Sequence, residues 1–257
     1  MSDARLAECV ANAARTTLPL QDAALGDEHE YASLPLCVID AVFSIGVKYA
    51  STKRVPPRWA AAQTPQWPVY RRASIVEHSI SDFLEAADQF TCDELATNIF
   101  KNSQRTSSTN GILKAQAVRQ FAAALRKAGI ERFADLDDET KLELAEAFVK
   151  DVKGQSSGIS FDYFRILVGH ETVKADRMVC RFVARAAGLE HVAPTVARLA
   201  VIDATAILKH EFTNLNTRLL DYVIWNYESR NAASNRKRGL IQADGTARDH
   251  AVCLGKS

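Results

Sequence analysis

The sequence predicts an all-α fold. Apolar residues recur at helical spacing through most of the chain, start and stop signals flank these runs, and no segment alternates at period two. With 257 residues there is enough chain to bury one large core or two small ones.

The elements follow in order. The first segment, MSDARLAECVANAARTTL, is amphipathic and lacks the apolar centre of a signal peptide. Residues 34–50 (LPLCVIDAVFSIGVKYA) are apolar on nearly every side and predict a central buried helix. From 51 to 72, Pro56, Pro57, Pro65 and Pro68 predict an irregular loop, which either lines a cleft or is pinned by Trp59 and Trp67. Val76, Ile80, Phe83, Leu84 and Ala87 share one helical face, and Thr91 with Glu94 forms a capping box for the next helix. A polar loop, KNSQRTSSTNG, precedes a helix with Val118, Phe121, Ala122 and Leu125 inward, stopped by Gly129. Leu142, Ala145, Phe148, Val149 and Val152 define another face. Val179, Phe182, Val183 and Ala186 define the next, stopped by Gly188. Asn216 is placed to cap a last helix containing LLDYVIWNY. Residues 229–257 are polar and basic and are expected to be a flexible tail beyond a domain spanning 1–228.

Composition sets bounds on function. Net charge is +1, so any nucleic-acid surface must come from local clustering of Lys and Arg. The five cysteines, Cys9, Cys37, Cys92, Cys180 and Cys253, are scattered at no metal-ligand spacing. That excludes a zinc finger and a four-cysteine iron–sulfur loop and suits a reducing compartment. No apolar run approaches the roughly 20 residues of a membrane span, so a cytoplasmic protein without membrane contact is expected.

The chemistry concentrates in KGQSSGISFDYFRILVGHETVKADRMVCRFVARAAG, residues 153–188. A Gly/Ser-rich turn leads into a short apolar helix ending at a glycine, and Asp176 then opens an amphipathic helix. Asp is a favoured N-cap, so Asp176 has a purely structural explanation as well as a catalytic one.

This segment resembles the helix–hairpin–helix DNA glycosylases. Gly154 falls on the first hairpin glycine, Gly169 on the glycine that ends the following helix and Asp176 on the catalytic aspartate, without a gap. Residues 36–55 are similar to the family's early helix with its base-pocket residues, and residues 108–130 to its DNA-inserting loop and helix, so the resemblance covers roughly 34–228 with 138–188 as the hairpin and catalytic segment. The hairpin departs from the pattern: it has serine, Ser156, at the second glycine and lacks the preceding proline. Gly158 stands where strand-cutting members carry a lysine nucleophile.

The resemblance implies two helical subdomains with a cleft between them, containing a helix–hairpin–helix motif. It implies a monomeric, monofunctional DNA glycosylase that flips a damaged or modified base from duplex DNA. Asp176 would support the sugar cation. Backbone grip would come from Lys153, Gly154, Gln155, Ser156, Ser157 and Gly158, unless these form only a structural turn. Further DNA contacts would come from Arg105, Lys114, Arg177 and Arg181. Asn110 would be the wedge filling the vacated stack or, equally, an N-cap. The base pocket would draw on Ser44, Gly46, Lys48, Tyr49, Trp67 and Tyr163, the aromatic rings offering stacking faces. Lys153 and Lys174 are expected as phosphate contacts or solvated surface. No cofactor is implied beyond a monovalent cation at the hairpin, and no iron–sulfur cluster. Three alternatives stay open: a non-catalytic DNA-binding protein of the same fold, a helical scaffold or partner protein with no nucleic-acid role, which the net charge of +1 allows, and a defence glycosylase acting on modified phage bases.

Overall fold

The structure, a computed structural model, describes residues 2–26, 30–47, 51–73 and 76–231. Among them it is helical, without a named strand. The helices are α1 (Asp3–Thr17), α2 (Leu34–Phe43), α3 (Val55–Ala62), α4 (Ile80–Ala87), α5 (Cys92–Glu94), α6 (Lys114–Lys127), α7 (Glu139–Lys150), α8 (Ile159–Leu167), α9 (Arg177–Ala187), α10 (Pro194–Leu208) and α11 (217–231). A π-helical turn, Leu95–Ile99, continues α5.

The chain divides into two compact units. One is discontinuous: residues 1–24 return to residues 175–257. Here α1 packs against α9 and α10, through Leu6, Ala7, Val10, Ala11 and Ala14 on α1 and Val179, Phe182 and Val183 on α9. Ala186, expected inward, is only half-buried, and Ala184 takes the inner position. Gly188 ends α9 in the left-handed conformation, and the Asn216 side chain accepts the Leu219 amide at 2.8 Å to cap α11. Glu228, almost wholly buried on α11, pairs with Arg185 of α9, whose guanidinium also approaches the rings of Phe182 and Tyr227. Arg185 is therefore not free on the basic face that the sequence suggests for α9.

The second unit, residues 25–174, is built around α2, on which α3, α6 and α8 pack, with α4 and α7 packing on α6. All ten residues of α2 are buried. The helix is shorter than the sequence suggests: it stops at Phe43, and Ser44 to Gly46 form a turn with Gly46 at φ +73°. Residues 51–72 are not one irregular loop. Pro56 and Pro57 lie in the first turn of α3, where proline breaks no helical hydrogen bond, so the proline-rich stretch begins as a helix that buries Trp59 completely. Val76, expected on the face of α4, lies before the helix and is 52% exposed, because Ser79 and Asp82 form a capping box that starts α4 at Ile80. The Thr91–Glu94 capping box forms as the sequence suggests.

Candidate functional site

The turn from 151 to 158 joins α7 to α8. Within it Gln155 N bonds to Val152 O at 2.9 Å and Gly158 N to Gln155 O at 3.0 Å. Gly154 has φ +88°, and a Cβ there would lie 2.5 Å from Thr106 Cβ and Oγ1. Glycine is thus required by both backbone and neighbour. Gly158, at φ +74°, is the N-cap of α8, and a Cβ on it would come within 3.1 Å of Lys150 Cε. This gives a conformational reason for glycine where strand-cutting members of the resembled family have lysine. Lys153, Ser156 and Ser157 are exposed, whereas Gln155 is buried. A monovalent cation at this turn would have main-chain carbonyls for ligands, and those of Val152 and Gln155 already accept amides. Among the described residues no three His, Cys, Asp or Glu side chains group to hold a metal.

Thr106 brings a second loop against this turn. Residues 105–113 fold back on themselves through an Arg105–Leu113 bridge, with Thr106 N on Ile112 O at 2.9 Å and Ile112 N on Thr106 Oγ1 at 3.2 Å. Arg105 is exposed but donates from Nε to Gly111 O at 2.8 Å. Asn110 sits exposed in this loop at φ +55°, a conformation that Asn tolerates better than most residues. It is not an N-cap: α6 begins at Lys114, and no side chain caps it.

Asp176 is the N-cap of α9 in the discontinuous unit. Its Oδ1 accepts the amides of Met178 at 2.7 Å and Val179 at 3.3 Å, leaving Oδ2 without a hydrogen bond among the described residues. Arg177 and Arg181 on the same helix are exposed.

The second unit holds a buried polar cluster that the sequence reading does not assemble. Asp40, fully buried on α2, accepts Ser44 Oγ at 2.6 Å on one oxygen, and the hydroxyls of Tyr31 at 3.1 Å and Tyr163 at 3.4 Å on the other. Burial raises the carboxyl above its usual range, opposed by the Ser44 hydroxyl, the Lys174 ammonium and the two tyrosine hydroxyls. Two residues expected in the base pocket, Ser44 after α2 and Tyr163 on α8, therefore meet on one carboxylate.

Two lysines complete the cluster, and both correct the sequence reading. Lys114 is only 3% exposed, and its Nζ donates to Phe43 O at 2.8 Å and Ile45 O at 2.7 Å. It is a buried cation at the C-terminal end of α2, where the helix carbonyls and dipole favour positive charge, and not a surface phosphate contact. Burial, then the nearby Lys174, lowers it from 10.5 to about 8. Lys174 is 8% exposed, and its ammonium lies 3.9 Å from the Tyr163 ring centroid, so it is not solvated surface. With that face covered, Tyr163 contributes its hydroxyl more than a stacking surface. Trp67 is also no open pocket wall: its ring stacks on His78 at 4.0 Å and meets Trp59 edge-on at 5.8 Å. Gly46 is exposed, and a Cβ on it would meet no atom of the described residues within 4 Å. Lys48 and Tyr49 lie outside the described residues, as does the tail from 232 onward.

Asp40 had one sequence signal: it is the single acid within LPLCVIDAVF, a segment otherwise without charge. A lone carboxylate on a helix buried all round must find donors, and buried titratable groups with specific partners mark candidate functional sites.

Two helical units, one organised around a buried carboxylate–hydroxyl–ammonium cluster, define the class of this protein. The chain belongs to the family described as domain of unknown function DUF8548, whose model matches residues 7–229. No curated protein and no solved structure matches it. Among the described residues no helix is long and apolar enough to cross a membrane.

Proposed function

We propose that the chain is a monofunctional DNA glycosylase that extrudes a damaged or modified base from duplex DNA and hydrolyses its N-glycosidic bond. The observation that carries the reading is the order of parts along the chain. The glycine-fixed turn between α7 and α8 is followed by the termination of α8 at Gly169 and then by Asp176, with one carboxylate oxygen uncommitted, at the start of α9. The adjoining 105–113 loop supports it, because an exposed Asn110 is available to enter a vacated stack. So does the convergence of Ser44 and Tyr163 on Asp40. The reading includes a helix–hairpin–helix motif at 138–188.

In the proposed reaction the C1′–N bond breaks and its electron pair leaves with the base, while positive charge develops on the sugar. The Asp176 carboxylate stabilises that charge and orients the attacking water. The water oxygen bonds to C1′, and one of its protons is released, with the departing base or solvent as acceptor. Oδ1 is held by two amides, so the carboxylate is fixed without a further partner. Lys153, Ser156 and Ser157 contact backbone phosphate, with Arg105 and Arg177 as additional contacts. Glycine at 158 puts no amine at the position from which strand-cutting members of the resembled family attack C1′, so the strand stays intact.

A second reading, DNA binding without catalysis, draws on the same residue: the two amide bonds explain Asp176 fully as a helix cap. Incubating the protein with duplexes carrying a panel of damaged and modified bases, phage-type modified cytosines included, separates the two. Mass spectrometry should detect a free base together with an intact abasic strand. Salt-dependent binding with no base released from any duplex would leave only the second reading.

A further inference from the structure

The Asp40 cluster fixes the polarity of the pocket that Ser44 is proposed to line, an inference that rests on the glycosylase reading. A serine hydroxyl has one hydrogen to donate, and an ionised carboxylate can only accept. Ser44 Oγ lies 2.6 Å from Asp40 Oδ1, so its hydrogen points at the carboxylate and its lone pairs point elsewhere. The direction is held from several sides. Tyr31 and Tyr163 donate to the other oxygen of Asp40, and the Lys174 ammonium acts on the same carboxyl; all three favour its ionised, accept-only form. The main chain on both sides of Ser44 is clamped by Lys114 through Phe43 O and Ile45 O. Asp40 is fully buried and cannot reach a ligand, whereas Ser44 is half-buried and borders the exposed Gly46.

We propose that Ser44, its hydrogen engaged by Asp40, presents only an acceptor and so selects bases that turn an N–H toward it, such as an exocyclic amine, over bases that turn only oxygen. Asp40 is then a positioning residue: it touches no substrate and acts by setting which way a hydroxyl points. An oxygen facing the Ser44 lone pairs leaves both groups desolvated and unpaired, and sites built around a hydrogen bond reject ligands that cannot make it.

The test uses the full chain carrying Asp176→Asn, so that duplexes are bound and not cut. The probes are duplexes in which one exocyclic amine is exchanged for a methoxy oxygen: adenine against 6-methoxypurine, and cytosine against 4-methoxypyrimidin-2-one. The quantity read is the amine-to-methoxy ratio of affinities, which a partly misfolded preparation does not change. A ratio of about tenfold in at least one pair is expected. Adding Asp40→Asn supplies an amide N–H that can donate to Ser44 and free the serine hydrogen, so the ratio should fall to within about twofold or invert. Ser44→Ala should also remove the preference. A ratio near one before these changes, or an unchanged ratio with Asp40→Asn, overturns the inference while leaving the glycosylase reading standing. If no duplex is bound and the unmodified chain releases no base from any duplex, the reading beneath falls and the inference with it.

Discussion

Replacing Lys114 with methionine tests whether a buried ammonium really holds the end of α2. The wild-type side chain is buried with its charge directed at two carbonyls, and its folded-state value is about 8 against 10.5 when unfolded. At about 1.4 kcal/mol per pH unit, that gap corresponds to roughly 3 kcal/mol. The sign follows from linkage. A depressed folded value means that the unfolded chain binds the proton more tightly, so the contribution to stability is present above 10.5 and is lost as pH falls through about 8. Wild-type stability should therefore rise relative to Lys114→Met by up to about 3 kcal/mol as pH goes from about 8 to 10.5. Groups far from Lys114 contribute equally in both proteins and cancel, so the difference reads Lys114 together with its coupling to Lys174. Urea unfolding can follow this unit through Trp59 and Trp67 once Trp225 is replaced by phenylalanine. A flat difference across that window, or one falling with pH, would refute the assignment of Lys114 as a buried, desolvated cation.

Three further outcomes are expected. Gly154→Ala should lower stability by at least about 2 kcal/mol in thermal melts, because a left-handed backbone and a contact with Thr106 oppose the new methyl together; a neutral result would mean that the turn relaxes freely. Asp176→Ala should cost about 1 kcal/mol, a fall of roughly 2–4 °C in Tm, while Asp176→Asn should melt like wild type because Asn caps as well as Asp; equal losses for both would show that the carboxylate charge itself stabilises the fold. Lys153→Ala should reduce the slope of log affinity against log salt by about one for duplex DNA, and an unchanged slope would remove Lys153 from the phosphate contacts.

Much of the fold was legible because local chemistry decides it. The Thr91–Glu94 box, the Asn216 cap, the Gly188 stop and the inward face of Val118, Phe121, Ala122 and Leu125 all depend on neighbours within a few residues, and all are found. The misses have tertiary causes. The apolar run from 34 looks like one long helix, yet α2 ends at Phe43, where a lysine distant in sequence satisfies its last carbonyl. Pro56 and Pro57 read as breakers but open α3. Nothing local announces that α1 joins the C-terminal helices in one unit. The same distinction runs through the candidate site. Gly154, Gly158 and Asp176 could be picked out from spacing. The Asp40 cluster could not, because its members come from residues 31 to 174 and only the packing of α2, α6 and α8 brings them together. Lys114 and Lys174 carry no mark in the sequence that separates them from solvated lysines.

The most direct measurement of the central claim compares wild type with Asp176→Asn in single-turnover base excision, on whichever duplex of the panel the wild type cuts fastest. Asparagine keeps the cap geometry and removes the charge, so the comparison isolates electrostatic support of the sugar cation. The rate of base release should fall by at least about 100-fold with little change in Tm. Equal rates in the two proteins would contradict a catalytic Asp176.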